Sequence, residues 1–396
     1  MKLSTDSAGF LLLLGAMLAM IALGVDTTLP AMPLMQSDLP ATAAEVQLTL
    51  TAFRMGVAAG QVACGPLSDR YGRRPVLLGG LALFGVASLA CAGAGTLATL
   101  TTARFVMGVA AVSGPVISRA VVRDLFAGDA AARLMARMMV VFGIAPIAAP
   151  LAGGFLVEVA GWRAIYLFIA ACGVLLFAAV ALRLPETAPY PRPPMSAGQL
   201  VRNFAMLLSH RAYVGPLLVI CSAQVGIFAF VTNASFVTAG VLHLSPAQFA
   251  GLFSFVMLGN IIGAQIGSRF VVRFGIRAML KAGALLGAAG GCAMAALSWA
   301  GVQHVSALAL PMLVYLIGAG LVIPSGSAAA MTPFPKIAGA ASSLQLMTQL
   351  LAGAALGMII SAAYDGTTRP MATAIGAAGL ALLVFERAFA SPRAAA

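Results

Sequence analysis

Three charged residues stand inside long apolar stretches, where charge is expensive: Asp26, Arg54 and Arg104. A charge at the centre of a bilayer costs about 2.5–3.5 kcal/mol on insertion scales, so such groups face a cavity or a partner. A carboxylate among guanidiniums suits proton binding and release, because burial and nearby positive charge act on it in opposite senses. Of the eleven acids, Asp26 alone falls within an apolar run. Glu45, Glu158 and Asp365 sit at one boundary. At ~1.5 Å per residue, Asp26, Arg54 and Arg104 each lie roughly 11–15 Å from the same end of their helices. They share a depth. Arg54 reads either as a counter-charge for Asp26 or as a contact to a bound molecule; the alternative is a purely structural Asp–Arg pair.

A second group of charges lies in Gly65-Pro66-Leu67-Ser68-Asp69-Arg70-Tyr71-Gly72-Arg73-Arg74. Gly72 permits a tight turn, Gly65 allows close helix packing, and Asp69 is an anion beside three guanidiniums. A loop that merely carried positive charge would have no need of that acid. Pro146 to Gly154 is rich in Pro and Gly, which bend helices and let backbones approach. In the second half Phe228, Asn233, Phe236, Tyr315 and Gln345 supply an apolar wall with a few polar anchors. Other chemistries lack their residues. The three lysines are followed by Leu, Ala and Ile, so there is no Gly-Lys-Ser/Thr phosphate loop, and neither HExxH nor GxSxG occurs. His210, His243 and His304 fall at loop edges. The chain reads as no enzyme, with no metal or cofactor.

The elements that hold these residues follow from composition. Of 396 residues 61% are hydrophobic and 9% charged, and mean hydropathy is +1.01. A soluble chain carries about 25% charged residues, so this is a polytopic membrane protein. Segments of about 20 apolar residues fall near 8–35, 45–67, 76–95, 98–118, 134–157, 163–184, 212–240, 247–270, 279–300, 306–328, 337–363 and 370–390. That gives twelve helices; the short alternating segments of a barrel are missing. The first run continues past Asp26 without a small-residue cleavage site, so it reads as an uncleaved span. Loops on the side of the termini, with the termini, hold 19 basic residues, against Arg163 and Arg369 on the other side. The bias places both termini in the cytoplasm. The net charge of +12 comes from these loops and not from a nucleic-acid-binding tail. The cysteines (Cys64, Cys91, Cys172, Cys221, Cys292) read as buried packing thiols.

A polar interruption with Pro185, Pro189, Pro191, Pro193 and Pro194 divides the chain into a first bundle over 1–184, a linker over 185–211 and a second bundle over 212–396. The halves echo one another: Arg70-Tyr71-Gly72 and Arg74 align with Arg273-Phe274-Gly275 and Arg277, although Val272 stands opposite Asp69. Duplicated six-helix bundles are the plan of a transporter with its site between repeats.

The segment Gly65–Arg74 resembles the signature loop of the major facilitator superfamily, in the position that family requires. Leu100 to Gly108 is similar to its second motif, whose Arg, here Arg104, is associated with proton transfer; Met107 stands where Gln is common. Pro146 to Gly154 is similar to the antiporter motif, keeping Pro150, Gly153 and Gly154 but with Ala149 for its first glycine. Asp26 to Pro33, Val46 to Leu50, Pro115 to Leu125, Gly161-Trp162-Arg163 and Leu184 to Thr187 together resemble the bicyclomycin and chloramphenicol resistance branch of the drug:proton antiporters. That branch usually has an apolar residue where Arg54 stands. The resemblance implies an all-α fold of two pseudo-symmetric six-helix bundles. It implies a monomer in the bacterial inner membrane that exports moderately hydrophobic drugs against protons, with the proton gradient in place of a cofactor. Asp69 would latch the cytoplasmic ends of the bundles. Export of an amino acid or sugar derivative by the same mechanism is the alternative.

Overall fold

The computed structural model describes residues 8–188 and 197–390. Pro189, Pro191, Pro193 and Pro194 of the linker, and Lys2, Arg192 and Arg393 of the basic set, lie outside the described residues. The described residues are almost entirely helical, in two compact units, 1–195 and 196–396.

The first unit holds α1 (Ala8–Leu18), α2 (Met20–Asp26), α3 (Met32–Asp38), α4 (Ala43–Tyr71), α5 (Arg73–Ala92), α6 (Leu97–Ala111), α7 (Ser113–Leu125), α8 (Gly128–Ala160) and α9 (Trp162–Arg183). The second holds α10 (Ala197–Ser209), α11 (Arg211–Gly240), α12 (Pro246–Trp299), α13 (Val305–Met331), α14 (Ala338–Ala362) and α15 (Arg369–Ala390). Helix starts are chemically marked. Thr42 with Glu45, Thr96 with Thr99 and Ser245 with Gln248 form capping boxes that satisfy the first free N–H groups of α4, α6 and α12.

The twelve expected segments map onto these helices with three interruptions. The first span is α1, α2 and α3 in series, with a 49° bend between Ala8–Leu18 and Met20–Asp38. The fourth is α6 followed by α7, broken at Val112. Two expected spans lie in the 54-residue α12, where Gly275 takes a left-handed conformation (φ 81°, ψ 166°). Among the described residues eight helices are long and apolar enough to cross a membrane, or nine with the bent first span. The 29-residue α4 and 25-residue α14 are not among them; α4 carries Gln47, Arg54 and the charged Asp69-Arg70 end.

Apolar side chains face outward as well as inward. Leu175 and Leu182 of α9 are 70% and 75% exposed on the bundle surface, which only lipid makes tolerable. No disulfide forms among the described residues. Cys64, Cys91 and Cys221 are buried, but Cys172 is half-buried and Cys292 is exposed. The expectation of five buried thiols therefore fails at those two, because an apolar run on a membrane helix does not by itself mean burial in protein. The stretch expected as linker also contains α10. Leu207 of this helix packs with Tyr213, Leu217, Ala341 and Leu344 of α11 and α14.

Candidate functional site

The break in the first span is where the charged groups of the first unit gather. The carbonyl of Asp26 would be the helical partner of residue 30, but Pro30 has no N–H. The N–H of Thr28 donates to Val25 (3.1 Å) instead of reaching Gly24. The chain tightens into a 3₁₀ turn over Leu29–Ala31, and the Gly24 carbonyl is released from the helix ladder. Arg104 of α6, 1% exposed, takes up that carbonyl: Nη1 donates to Gly24 at 2.6 Å and Nη2 reaches Thr28 Oγ1 at 3.4 Å. The guanidinium lies over Phe53 (4.8 Å) and beside Tyr166 (5.8 Å), whose faces attract it.

Asp26 and Arg54 are both buried and their charges act on each other; Arg54 also feels Arg104. None of the ion pairs among the described residues joins Asp26 to Arg104. The contacts that fix Arg104 go to backbone and hydroxyl oxygens, leaving the carboxylate outside its hydrogen bonds. Gly153 of α8 completes the enclosure, since a Cβ there would collide with the Thr27 carbonyl. Pro150 and Gly154 are buried on the same helix, which runs unbroken through Pro146 and Pro150.

Residues of α9 extend this arrangement outward. Trp162 Nε1 donates to Asp38 at the end of α3 (2.8 Å), and Arg163 pairs with the same carboxylate (3.3 Å). The Trp162 ring meets Tyr166 edge-on at 6.0 Å. Asp38, Trp162, Tyr166 and Arg104 thus form a continuous contact series from the loop end of α9 to the break. The family resemblance singles out Trp162 and Arg163; Tyr166, one turn on, gives no separate signal.

The signature loop folds around Arg73 and Gly72. Arg73 Nη1 meets Asp69 Oδ1 at 2.5 Å and Ser68 Oγ at 2.7 Å, while Nε donates to Asp124 at 3.0 Å. Arg70 lies over Tyr71 (5.3 Å), and Arg74 donates to the Ala181 carbonyl (2.7 Å). Of the three guanidiniums beside Asp69, that of Arg73 is paired with it. Gly72 has φ 110°, a conformation only glycine adopts easily, and a Cβ there would press on Glu186. Gly65 differs from expectation. A Cβ on it would meet nothing within 4 Å, so it packs no helix closely.

Glu186 is the residue that sequence reasoning left without a role. It caps α5, accepting from the N–H groups of Arg73 (2.8 Å) and Arg74 (3.1 Å), and it also accepts from Thr187 and Ala188 (3.0 Å each). Burial alone would raise its pKa, but these four donors outweigh burial and hold it below the ordinary carboxylate value. The tie is therefore complete at neutral pH and is lost only as pH falls through that lowered pKa. Glu186→Gln should make the Arg73 and Arg74 amides exchange hydrogen several-fold faster at pH 7, imitating the wild type in strong acid. Unchanged exchange would show that the cap carries no load.

In the second unit the expected wall divides. Asn233 (1% exposed) donates to the Ala229 carbonyl (3.0 Å) and to Thr232 Oγ1 (2.9 Å). Gln345 donates to Ser327 (2.7 Å). Phe228 and Phe236 are buried, Phe228 tightly against Gly353 of α14. Tyr315 is fully buried, and its hydroxyl donates toward the carbonyls of Ser222 (3.2 Å) and Ala223 (3.1 Å). It pins α13 to α11. Tyr315 is thus a packing residue and not a wall of an open cavity.

Comparisons with known proteins give the family and the fold. The family model described as Major Facilitator Superfamily matches residues 12–358. The uncharacterized MFS-type transporter YdgK of Bacillus subtilis is 35% identical over 88% of this chain and 87% of its own. A bicyclomycin resistance protein homolog of Haemophilus influenzae is 31% identical over 93% and 92%. The crystal structure of a D-xylose–proton symporter superposes with a TM-score of 0.77 at 18% identity, covering 98% of this chain and 99% of that one; at that identity the likeness concerns the fold.

Proposed function

The chain belongs to the Major Facilitator Superfamily, and we propose that it is a drug:proton antiporter that exports moderately hydrophobic antibiotics, such as phenicols or bicyclomycin, by alternating access. It is a membrane transporter with relatives named for drug resistance. The observation that carries the finer reading is the break at Asp26–Thr28. A buried carboxylate stands there at a helix end, beside Arg54, with Arg104 and Gly153 closing over the adjacent backbone. Such a group can take up a proton without dismantling the helix, because Arg104 is anchored on Gly24 and Thr28 and not on the acid. The proton and the drug then compete through the charge of one small volume.

The working cycle needs a gate, and the Arg73 cluster is suited to be one. It sits at an end rich in Arg, which the positive-inside bias assigns to the cytoplasm, and Asp69 remains half-exposed while paired to Arg73. Asp69→Asn should cut transport several-fold without loss of membrane insertion, and cysteine accessibility at the cytoplasmic mouth should change with it. Wild-type rates in that variant would remove the gate role.

The reading as a whole is tested in inverted vesicles and in cells. In a host stripped of its own pumps, expression should raise resistance to phenicols or bicyclomycin, and vesicles should accumulate the same drugs only under an imposed pH gradient. Gradient-driven transport of an amino acid or sugar derivative, with no resistance to any drug, would replace the drug by a metabolite. Accumulation that ignores the gradient would overturn the antiport.

A further inference from the structure

The likeness between the halves reaches past the signature loop, and where it fails it leaves a cavity. Gly72 and Gly275 hold similar backbone conformations, each passing the chain from one long helix into the next. Each half also places a glutamate about its last helix, Glu186 just after α9 and Glu386 near the end of α15. In the first unit Glu186 closes onto the start of the helix after the glycine. In the second unit a cavity of about 210 Å³ remains, lined by Arg211, Pro216, Arg277, Leu280, Glu386 and Phe389. Glu386 is 8% exposed. Among the described residues no ion pair joins it to Arg211 or Arg277. A buried carboxylate with cations on the same wall but none bound to it is an unfinished electrostatic arrangement.

We infer that this cavity binds the headgroup of a zwitterionic phospholipid of the phosphoethanolamine type. Two guanidiniums on the rim suit a phosphodiester, which they bind with directed, charge-assisted hydrogen bonds. Glu386 decides the rest of the headgroup. A purely anionic group would be set against a buried carboxylate, whereas a primary ammonium gives that carboxylate its missing partner and three donors. The apolar walls at Pro216, Leu280 and Phe389 offer a path for acyl chains. In the sequence just ahead of Ile276 and Arg277 of the lining, Phe270, Val272 and Phe274 are exposed, Val272 to 90%, as fits a surface that meets lipid at the headgroup level. The Arg-rich end of the bundle is also where basic pockets meet lipid headgroups.

The test uses the purified full-length protein in detergent and a binding readout that does not depend on transport, so its result is separate from the fate of the antiporter reading. Short-chain diacyl phosphoethanolamine, the phosphocholine and phosphoglycerol lipids of equal chain length, free phosphoethanolamine and inorganic phosphate are titrated, with thermal stabilisation and retention in native mass spectra as readouts. The phosphoethanolamine lipid should bind most tightly. Glu386→Gln should weaken it at least tenfold while leaving the phosphoglycerol lipid equal or improved, and Arg277→Gln should weaken both. Should Glu386→Gln prove poorly folded, Arg211→Gln with Arg277→Gln carries the test alone, predicting loss of all phospholipid binding. Equal binding of the phosphoethanolamine lipid to wild type and Glu386→Gln overturns the assignment. Free phosphoethanolamine or phosphate binding as tightly as the lipid does so too, since it marks a site for soluble anions.

Discussion

Asp26→Asn is expected to bind drug within about twofold of wild type, a change of ~0.4 kcal/mol, and to lose accumulation driven by a pH gradient altogether. The substitution keeps the size of the side chain and its place at the end of α2, so the Arg104 bonds to Gly24 and Thr28 have no reason to change. What disappears is the only group in the break that can alternate between neutral and negative. Without it the drug can still occupy its site, but its release is no longer tied to a proton. The assay is drug flux into inverted vesicles against an imposed gradient, with binding measured separately in detergent. Undiminished flux would move the proton site to Glu45 or to a histidine. Their surroundings argue against that outcome. Glu45 is spent in the capping box of α4, accepting from Thr42. His304 caps α13 through Ser306, and His210 stands at the N-cap of α11.

The features legible in the sequence were those with a length or a charge rule behind them. A bilayer demands about 20 apolar residues per crossing, so the helices appear as runs. The signature loop is legible because its glycine and charges fall at fixed spacing. Local breaks were harder. Nothing in hydropathy marks the division of α6 from α7, nor the bend before Met20. Asp26-Thr27-Thr28 ahead of Pro30 did hold a signal, since proline strips one carbonyl of its donor and Thr is a weak helix former.

Long-range pairing was not legible at all. Which of Arg70, Arg73 and Arg74 would hold Asp69 depends on the reach of Asp124 and Glu186, residues 51 and more than 110 positions away from their partners. Composition likewise names Tyr315 as a polar aromatic suited to a cavity wall. Only the close approach of α11 and α13 shows its hydroxyl committed to backbone carbonyls. α10 could have been found, because Val201, Phe204, Leu207 and Leu208 recur at helical spacing in a stretch that prolines had made look irregular.

Arg104→Lys is expected to keep expression and insertion but to lower export at least tenfold, equivalent to ~1.4 kcal/mol. The reason lies in geometry more than in charge. Arg104 spans two acceptors with two different nitrogens, the Gly24 carbonyl and Thr28 Oγ1, while its flat face rests on Phe53. An ammonium could keep one of these bonds and part of the attraction to the rings, but it cannot bridge both sides of the break. One acceptor of the pair, the Gly24 carbonyl or Thr28 Oγ1, would then lie buried without this donor, and the position of Asp26 between them would loosen with it. Tyr166 separates this account from one of general packing. Its hydroxyl is buried without a hydrogen-bond partner, so Tyr166→Phe should be silent or mildly stabilising. Tyr166→Leu removes the aromatic link between Trp162 and Arg104 and should lower export, as Arg104→Lys does. If Arg104→Ala confers full resistance, α6 contributes packing alone; if Tyr166→Phe is as damaged as Tyr166→Leu, the hydroxyl and not the ring carries the connection to Arg104.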